Sequence, residues 1–243
     1  MNSVIIDGKK IAEEILSELK GSYTLGVIMN LSNPASDSFV KMKERAAARA
    51  GVQIMRYGPE DIDKALLCDG VLVQLPIANA EELIAAIPPQ KDVDALGPHA
   101  LVQSPIAEAI SEVFVRAGVA AAGKKAVVVG KGRLVGIPAA ELLKSLGADV
   151  TVVTQTQGSL SALKDADIVV LGAGEPGFIG PDMIKEGAVL IDAGTSEAGG
   201  KLVGDAQPGC ANVASVFTPV PGGIGPIAVA MIFRNLYELG RRA

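Results

Sequence analysis

Lys43, Gln74 and Asp94 are a base, an amide and an acid placed where neighbouring elements could bring them together. Lys43 stands four residues after Phe39 in "SDSFVKMKERA", so the two share a face if that stretch is helical. Gln74 is the polar residue of an otherwise apolar run, "DGVLVQLP", and "KDVD" supplies Lys91, Asp92 and Asp94. A lysine held against apolar surface loses hydration, its pKa falls, and it can act as a base or an electrostatic stabiliser. Most helix lysines are solvated surface residues, and an aspartate here could simply cap a turn. Spacing alone leaves those readings open.

A second chemistry is written in glycine. "VVVGKGRLVGIP" (127–138) places Gly130, Gly132 and Gly136 between a strand pattern and a helix pattern. Such glycines make a tight turn and let a pyrophosphate approach bare backbone at a helix N-terminus. The bland alternative is a tight connection with no ligand. The next strand ends in "VVTQTQGS", with no carboxylate to grip ribose hydroxyls, which favours NADP over NAD without excluding NAD. Lys131, Thr154, Gln155 or Ser159 could meet a 2′-phosphate, although Lys131 reads equally well as a solvated loop lysine. Thr195, directly after "AVLIDAG", joins the cofactor-binding candidates. A third stretch, "TPVPGGIGPIAVAMI" (218–232), packs three prolines and three glycines into nine residues. It predicts a rigid loop that holds bare backbone, including Pro221, Gly222 and Gly223, against a ligand or another segment.

Strand-length apolar runs alternate with helical patterns along most of the chain, the signature of βαβ units. Strands are expected at 23–30, 52–58, 70–76, 125–130, 149–154, 167–174, 188–194 and 215–220. Helices are expected at 35–51, 79–87 (with Asn79 as N-cap), 105–118, 135–147, 158–164 and 226–242. The Pro-rich stretch around 88–105 breaks the alternation. The fold class is α/β: two α/β lobes around a cleft, the second a Rossmann-like nucleotide-binding domain with a mostly parallel sheet. The first lobe is expected at 1–105, the second at 106–224, and the last helix (225–243) is expected to pack back on the first.

Composition narrows the classes. Hydrophobic residues are 49% and charged residues 20% of 243, which is globular and not disordered. A net charge of -5 with no basic cluster argues against nucleic acid. Cys68 and Cys210 fit no metal spacing and read as free thiols in a reducing compartment, and no metal site is expected. No apolar run reaches membrane-spanning length, and Asp7, Glu13 and Glu14 near the start do not suit a signal peptide. A cytoplasmic protein is expected.

"NPASDSFVKMK", "DGVLVQLPI", "KDVDALGP", "GKGRLVGIP", "AVLIDAG", "KLVGDA" and "TPVPGGIGPIAVAM" occur in this order. Together they resemble the bifunctional methylenetetrahydrofolate dehydrogenase/methenyltetrahydrofolate cyclohydrolase family over about the whole chain. "GVLVQLP" and "TPVPGGIGP" are the most specific of them. The resemblance implies NADP-dependent oxidation of 5,10-methylenetetrahydrofolate to 5,10-methenyltetrahydrofolate, and hydrolysis of that product to 10-formyltetrahydrofolate. It implies that Lys43 is the catalytic lysine, Gln74 the glutamine that tunes it and Asp94 the carboxylate that holds the pterin ring. It also places Phe39, Pro221, Gly222 and Gly223 beside the ligands, and suggests a homodimer through the cofactor lobe.

The chain departs from the family pattern in places. Phe39 stands where a tyrosine is usual, so any hydrogen bond from that hydroxyl, worth ~0.5–1.5 kcal/mol net, is lost. Gly132 replaces a usual serine. The stretch after Asp94 is shorter, its Cys-Thr-Pro element reads "QSP" (103–105), and the single histidine, His99, sits there as a loop residue. Two other readings stay open: a non-catalytic or single-activity relative (cyclohydrolase only), and another two-lobed NAD(P)-dependent dehydrogenase.

Overall fold

Val-, Ile- and Leu-rich runs form short parallel strands, and the amphipathic stretches between them form helices that cover them. The computed structural model describes residues 3–154 and 157–242. The chain opens with β1 (Val4–Ile5), α1 (Gly8–Glu18), β2 (Tyr23–Ile28), α2 (Pro34–Ala50) and β3 (Val52–Tyr57). It continues through α3 (Ile62–Ala65), β4 (Gly70–Val73), α4 (Ala80–Ala86) and α5 (Pro105–Ala117). Then come β5 (Lys125–Val129), α6 (Gly136–Ser145), β6 (Asp149–Val153), β7 (Ile168–Leu171) and β8 (Val189–Asp192). A hairpin of β9 (Ser196–Ala198) and β10 (Lys201–Val203) precedes β11 (Val216–Phe217) and α7 (Ile224–Gly240).

The chain divides into two compact units. One is Ile11–Pro105 with the chain from Val229 onward; the other is the segment through Lys10 with Ile106–Ala228. The expected first lobe therefore needs correcting at its start. β1 pairs in parallel with β11, Val4 opposite Val216, so the first ten residues complete the other unit's sheet. The Val-Ile-Ile run finds its partner more than two hundred residues away, which no local pattern announces.

In the Ile11–Pro105 unit, a parallel sheet of order β3-β2-β4 has its core at Ile28, Val71, Val73, Leu83 and Ile84. The buried stripe of α2 runs Ser36, Val40, Lys43, Ala47, Ala50, a spacing of four and three residues. Lys43 thus sits in the apolar stripe of its helix. Tyr237 of α7 donates to the carbonyls of Ala50 (2.5 Å) and Gly21 (3.1 Å), joining the last helix to this unit. Asn79 occupies the N-cap position of α4 but makes no side-chain cap; it adopts φ 55° there instead. β4 stops at Val73, so Gln74 lies just beyond the strand, its N–H still bonded to Ile28 O at 2.8 Å.

In the other unit, six parallel strands run β1-β11-β8-β7-β5-β6. From β5 the chain goes outward to β6 and then returns to β7 on the other side of β5. The ends of β5 and β7 are thus a topological switch point, where open α/β sheets bind ligands. Val127, Val129, Val169, Leu171, Leu190 and Phe217 pack its core.

Candidate active site

Helix α2 presents Lys43 because a buried-stripe position carries a lysine instead of an alanine or valine. The ammonium is almost buried (9% exposed) and donates to Gln74 Oε1 at 2.8 Å. Gln74 Nε2 donates to Leu75 O at 3.0 Å, which fixes the amide with its oxygen toward the lysine. Burial pushes the Lys43 pKa down from the ordinary lysine value, opposed by the charge of Asp94. Arg56 of β3 steadies the helix, reaching Asp37 (2.6 Å) and both oxygens of Glu44 (2.7 and 2.9 Å), residues that bracket Phe39 and Lys43.

Asp94 keeps part of its surface open, yet the protein around its carboxyl strips enough water to push its pKa up to about 6. Lys43 pulls that value down, and Asp92 adds a smaller upward push. The other charges of "KDVD" are structural. Lys91 Nζ donates to the carbonyls of Leu66 (2.7 Å) and Cys68 (2.8 Å), while buried Asp92 accepts from the N–H of Leu96 (3.3 Å) and Gly97 (2.7 Å). Phe39, one turn before Lys43, is 36% exposed and offers an aromatic face at the surface. A depressed lysine, an oriented amide and a raised carboxyl together can hold a cation, take a proton and return it.

The glycine turn after β5 has the form a dinucleotide needs. Gly130 adopts φ 111°, and a Cβ there would overlap the carbonyl of Gly172, at the end of the neighbouring β7. A Cβ on Gly136, the first residue of α6, would overlap the Gly130 carbonyl. Gly132 faces open space within 4 Å, so the turn stays free on one side. Lys131 reaches across to Gln157 Oε1 at 3.0 Å, toward the end of β6. Gln155 lies outside the described residues. Ser159 is occupied as the cap of the short helical turn Leu160–Lys164, accepting from Ser161 N at 3.2 Å. These residues fit a dinucleotide: Gly130, Gly132 and Gly136 would take its pyrophosphate, and Lys131 the adenosine end.

Pro221, Gly222 and Gly223 form a turn locked onto the start of α1. Gly8 N donates to Gly222 O at 2.8 Å, and Gly223 N to Pro219 O at 2.7 Å. Gly222 takes φ 108°, which favours glycine. Bare backbone is thus required inside this unit before any ligand is considered.

Family models cover nearly all of this arrangement. The "Tetrahydrofolate dehydrogenase/cyclohydrolase, catalytic domain" matches residues 6–94, and the "Tetrahydrofolate dehydrogenase/cyclohydrolase, NAD(P)-binding domain" matches 104–243. The chain belongs to the tetrahydrofolate dehydrogenase/cyclohydrolase family. The "Bifunctional protein FolD" of Halothermothrix orenii is 37% identical over 270 residues, covering 95% of each chain. That alignment is longer than the 243 residues here, so the relative carries segments this member lacks. The FolD methylenetetrahydrofolate dehydrogenase/cyclohydrolase of Campylobacter jejuni superposes with TM-score 0.92 at 27% identity, over 99% of both chains. A Trypanosoma brucei FolD, solved with NADP and an inhibitor, gives TM-score 0.89 at 30% identity, over 99% of this chain and 98% of that one.

Two further carboxylates, in "AVLIDAG" and "KLVGDA", organise the loops of the NAD(P)-binding unit. Asp192 (1% exposed) closes β8 and accepts from the N–H of Gly194 (3.0 Å), Asp205 (3.2 Å) and Ala206 (2.9 Å). Asp205, fully buried, accepts from Ala173 (2.7 Å), Gly174 (3.2 Å) and Glu175 (2.8 Å), the loop after β7. Burial pushes the Asp192 pKa up to about 6 despite those donors. The pair ties three loops at the carboxyl end of the sheet, and exposed Thr195 projects from one of them. The available signal was an aspartate flanked by glycine in "DAG" and "GDA". Cys68 and Cys210 are both buried free thiols.

Proposed function

We propose that this protein oxidises 5,10-methylenetetrahydrofolate with NADP and hydrolyses the resulting 5,10-methenyltetrahydrofolate to 10-formyltetrahydrofolate. The observation that carries this reading is the buried Lys43 Nζ on Gln74 Oε1, with Asp94 acting on it. The methenyl group is a cation, and a fully charged ammonium beside it would repel it. A lysine whose burial favours the neutral amine does not, and it is free to accept a proton.

In the hydrolysis, water adds to the bridging carbon and its proton passes to Lys43 Nζ. The C–N5 bond then breaks as the hydroxyl on that carbon gives up its remaining proton to solvent and becomes the formyl carbonyl, and the proton held by Lys43 is returned to N5. Gln74 holds the amine in place throughout, Asp94 holds the pterin ring, and Phe39 packs on the flat part of the substrate. Gly130, Lys131, Gly132, Gly136 and Thr195 would hold NADP, whose nicotinamide would supply the hydride acceptor, and Pro221, Gly222 and Gly223 would present backbone to the ligands. The working unit is a cytoplasmic homodimer joined through the NAD(P)-binding unit.

Two assays test this. Methylenetetrahydrofolate-dependent NADP reduction reads the first step, and loss of methenyltetrahydrofolate absorbance reads the second without nucleotide. Both should proceed; if folate binds and neither does, the enzyme reading is wrong. Sedimentation should give the mass of two chains.

A further inference from the structure

Asp94 lies in a loop, 94–102, that must be held still for its carboxyl to act on Lys43. The loop's start is fixed by the sheet: Val71 pairs with Asp92, and Val71 N donates to Lys91 O at 2.7 Å. Its turn is fixed by Asp92 on Leu96 N and Gly97 N. A third hold comes from a residue more than a hundred positions away. Asn235, fully buried on α7, donates through Nδ2 to Val93 O at 3.0 Å and to Gln103 O at 2.9 Å. Those carbonyls stand at the two ends of the loop. Both amide hydrogens are spent there. Flipping the amide would point its oxygen at two carbonyls, so the orientation is settled. Nearby, exposed Arg242 adds a weaker tether to Leu101 O at 3.1 Å.

We infer that Asn235 is a positioning residue for the folate site: by clamping Val93 and Gln103 it sets Asp94 beside Lys43. One buried amide that bonds the carbonyls at both ends of a single loop fixes that loop's span, which packing alone would not require. The inference rests on the reading of Asp94 as the carboxylate that holds substrate.

The test is a graded series, Asn235→Ser, Asn235→Ala and Arg242→Ala, in the full chain. Asn235→Ala should raise KM for methenyltetrahydrofolate hydrolysis by about tenfold or more. Asn235→Ser, which keeps one donor, should fall between it and wild type, and Arg242→Ala should change little. Tetrahydrofolate binding measured by calorimetry should weaken in the same order, with the NADP dissociation constant unchanged. A folate KM that holds in Asn235→Ala overturns the inference. If Asn235→Ala does not fold, Asn235→Ser carries the same comparison. If wild type neither binds nor turns over folate, the functional reading fails by itself. Amide exchange at Leu96 and Gly97 then decides the clamp: at least about tenfold faster in the variants supports it, and unchanged exchange rejects it.

Discussion

Lys43 Nζ donates to Gln74 Oε1 at 2.8 Å, and the amide nitrogen of Gln74 is spent on Leu75 O, so the lysine meets a neutral acceptor of fixed orientation. A carboxylate there would favour the ammonium and raise the lysine pKa that burial now lowers. Gln74→Glu should therefore move the lower limb of the hydrolysis pH profile upward by about one unit or more. A profile that stays in place would show that Gln74 does not tune the base.

Lys43→Met keeps a similar volume in the buried stripe of α2 and removes the proton acceptor. Hydrolysis should fall by about a hundredfold or more. The melting temperature should change little, because the cost of burying the amine is removed together with its bond to Gln74 and its attraction to Asp94. Full cyclohydrolase rate in this variant would overturn the assignment of Lys43.

Phe39→Tyr restores the hydroxyl usual in the family, one helical turn from Lys43. At 36% exposure the added oxygen need not be buried, so stability should stay within about 0.5 kcal/mol. At least one of the two activities should rise. If both are unchanged, the hydroxyl is dispensable in this member.

The Asp94 pKa is raised from 3.8 to about 6 in the folded protein, first by desolvation. Between those values the folded chain keeps a proton that the unfolded chain has released, so stability falls as pH rises through this window. Asp94→Asn cannot ionise and escapes that loss. Melting curves from pH 4 to pH 7 should show the variant gaining on wild type as pH rises. Parallel curves would contradict the burial of this carboxyl. Asp192 acts in the same direction, but it is common to both proteins and cancels in the comparison.

Gly132 and Gly136 should respond in opposite ways to a side chain. Gly132→Ser meets open space and should leave the melting temperature unchanged while tightening NADP binding. Gly136→Ala would overlap the Gly130 carbonyl and should cost about 1–3 kcal/mol and weaken NADP. Equal tolerance at both positions would mean that the turn is looser than its geometry indicates.

Periodicity and motif chemistry in the sequence were enough to determine the α/β class, most strands and helices, the glycine turn and the family, because these are written in contiguous residues. The α2 lysine shows where that legibility stops. Its spacing suits a surface residue as well as a base, and only the tertiary fold, which brings Gln74 and the charge of Asp94 to it, puts its side chain in the interior. Tertiary structure likewise set the charge of Asp94 on Lys43, while Lys91 and Asp92 bond to nearby carbonyls and amides. It also gave β1 to the sheet of β11, joined Asp192 and Asp205 through backbone N–H groups of separate loops, and set Asn235 on Val93 and Gln103. Each of these depends on groups far apart in the chain. Their energies come from desolvation and from hydrogen bonds that exist only after the chain has closed on itself, so no local pattern could carry them.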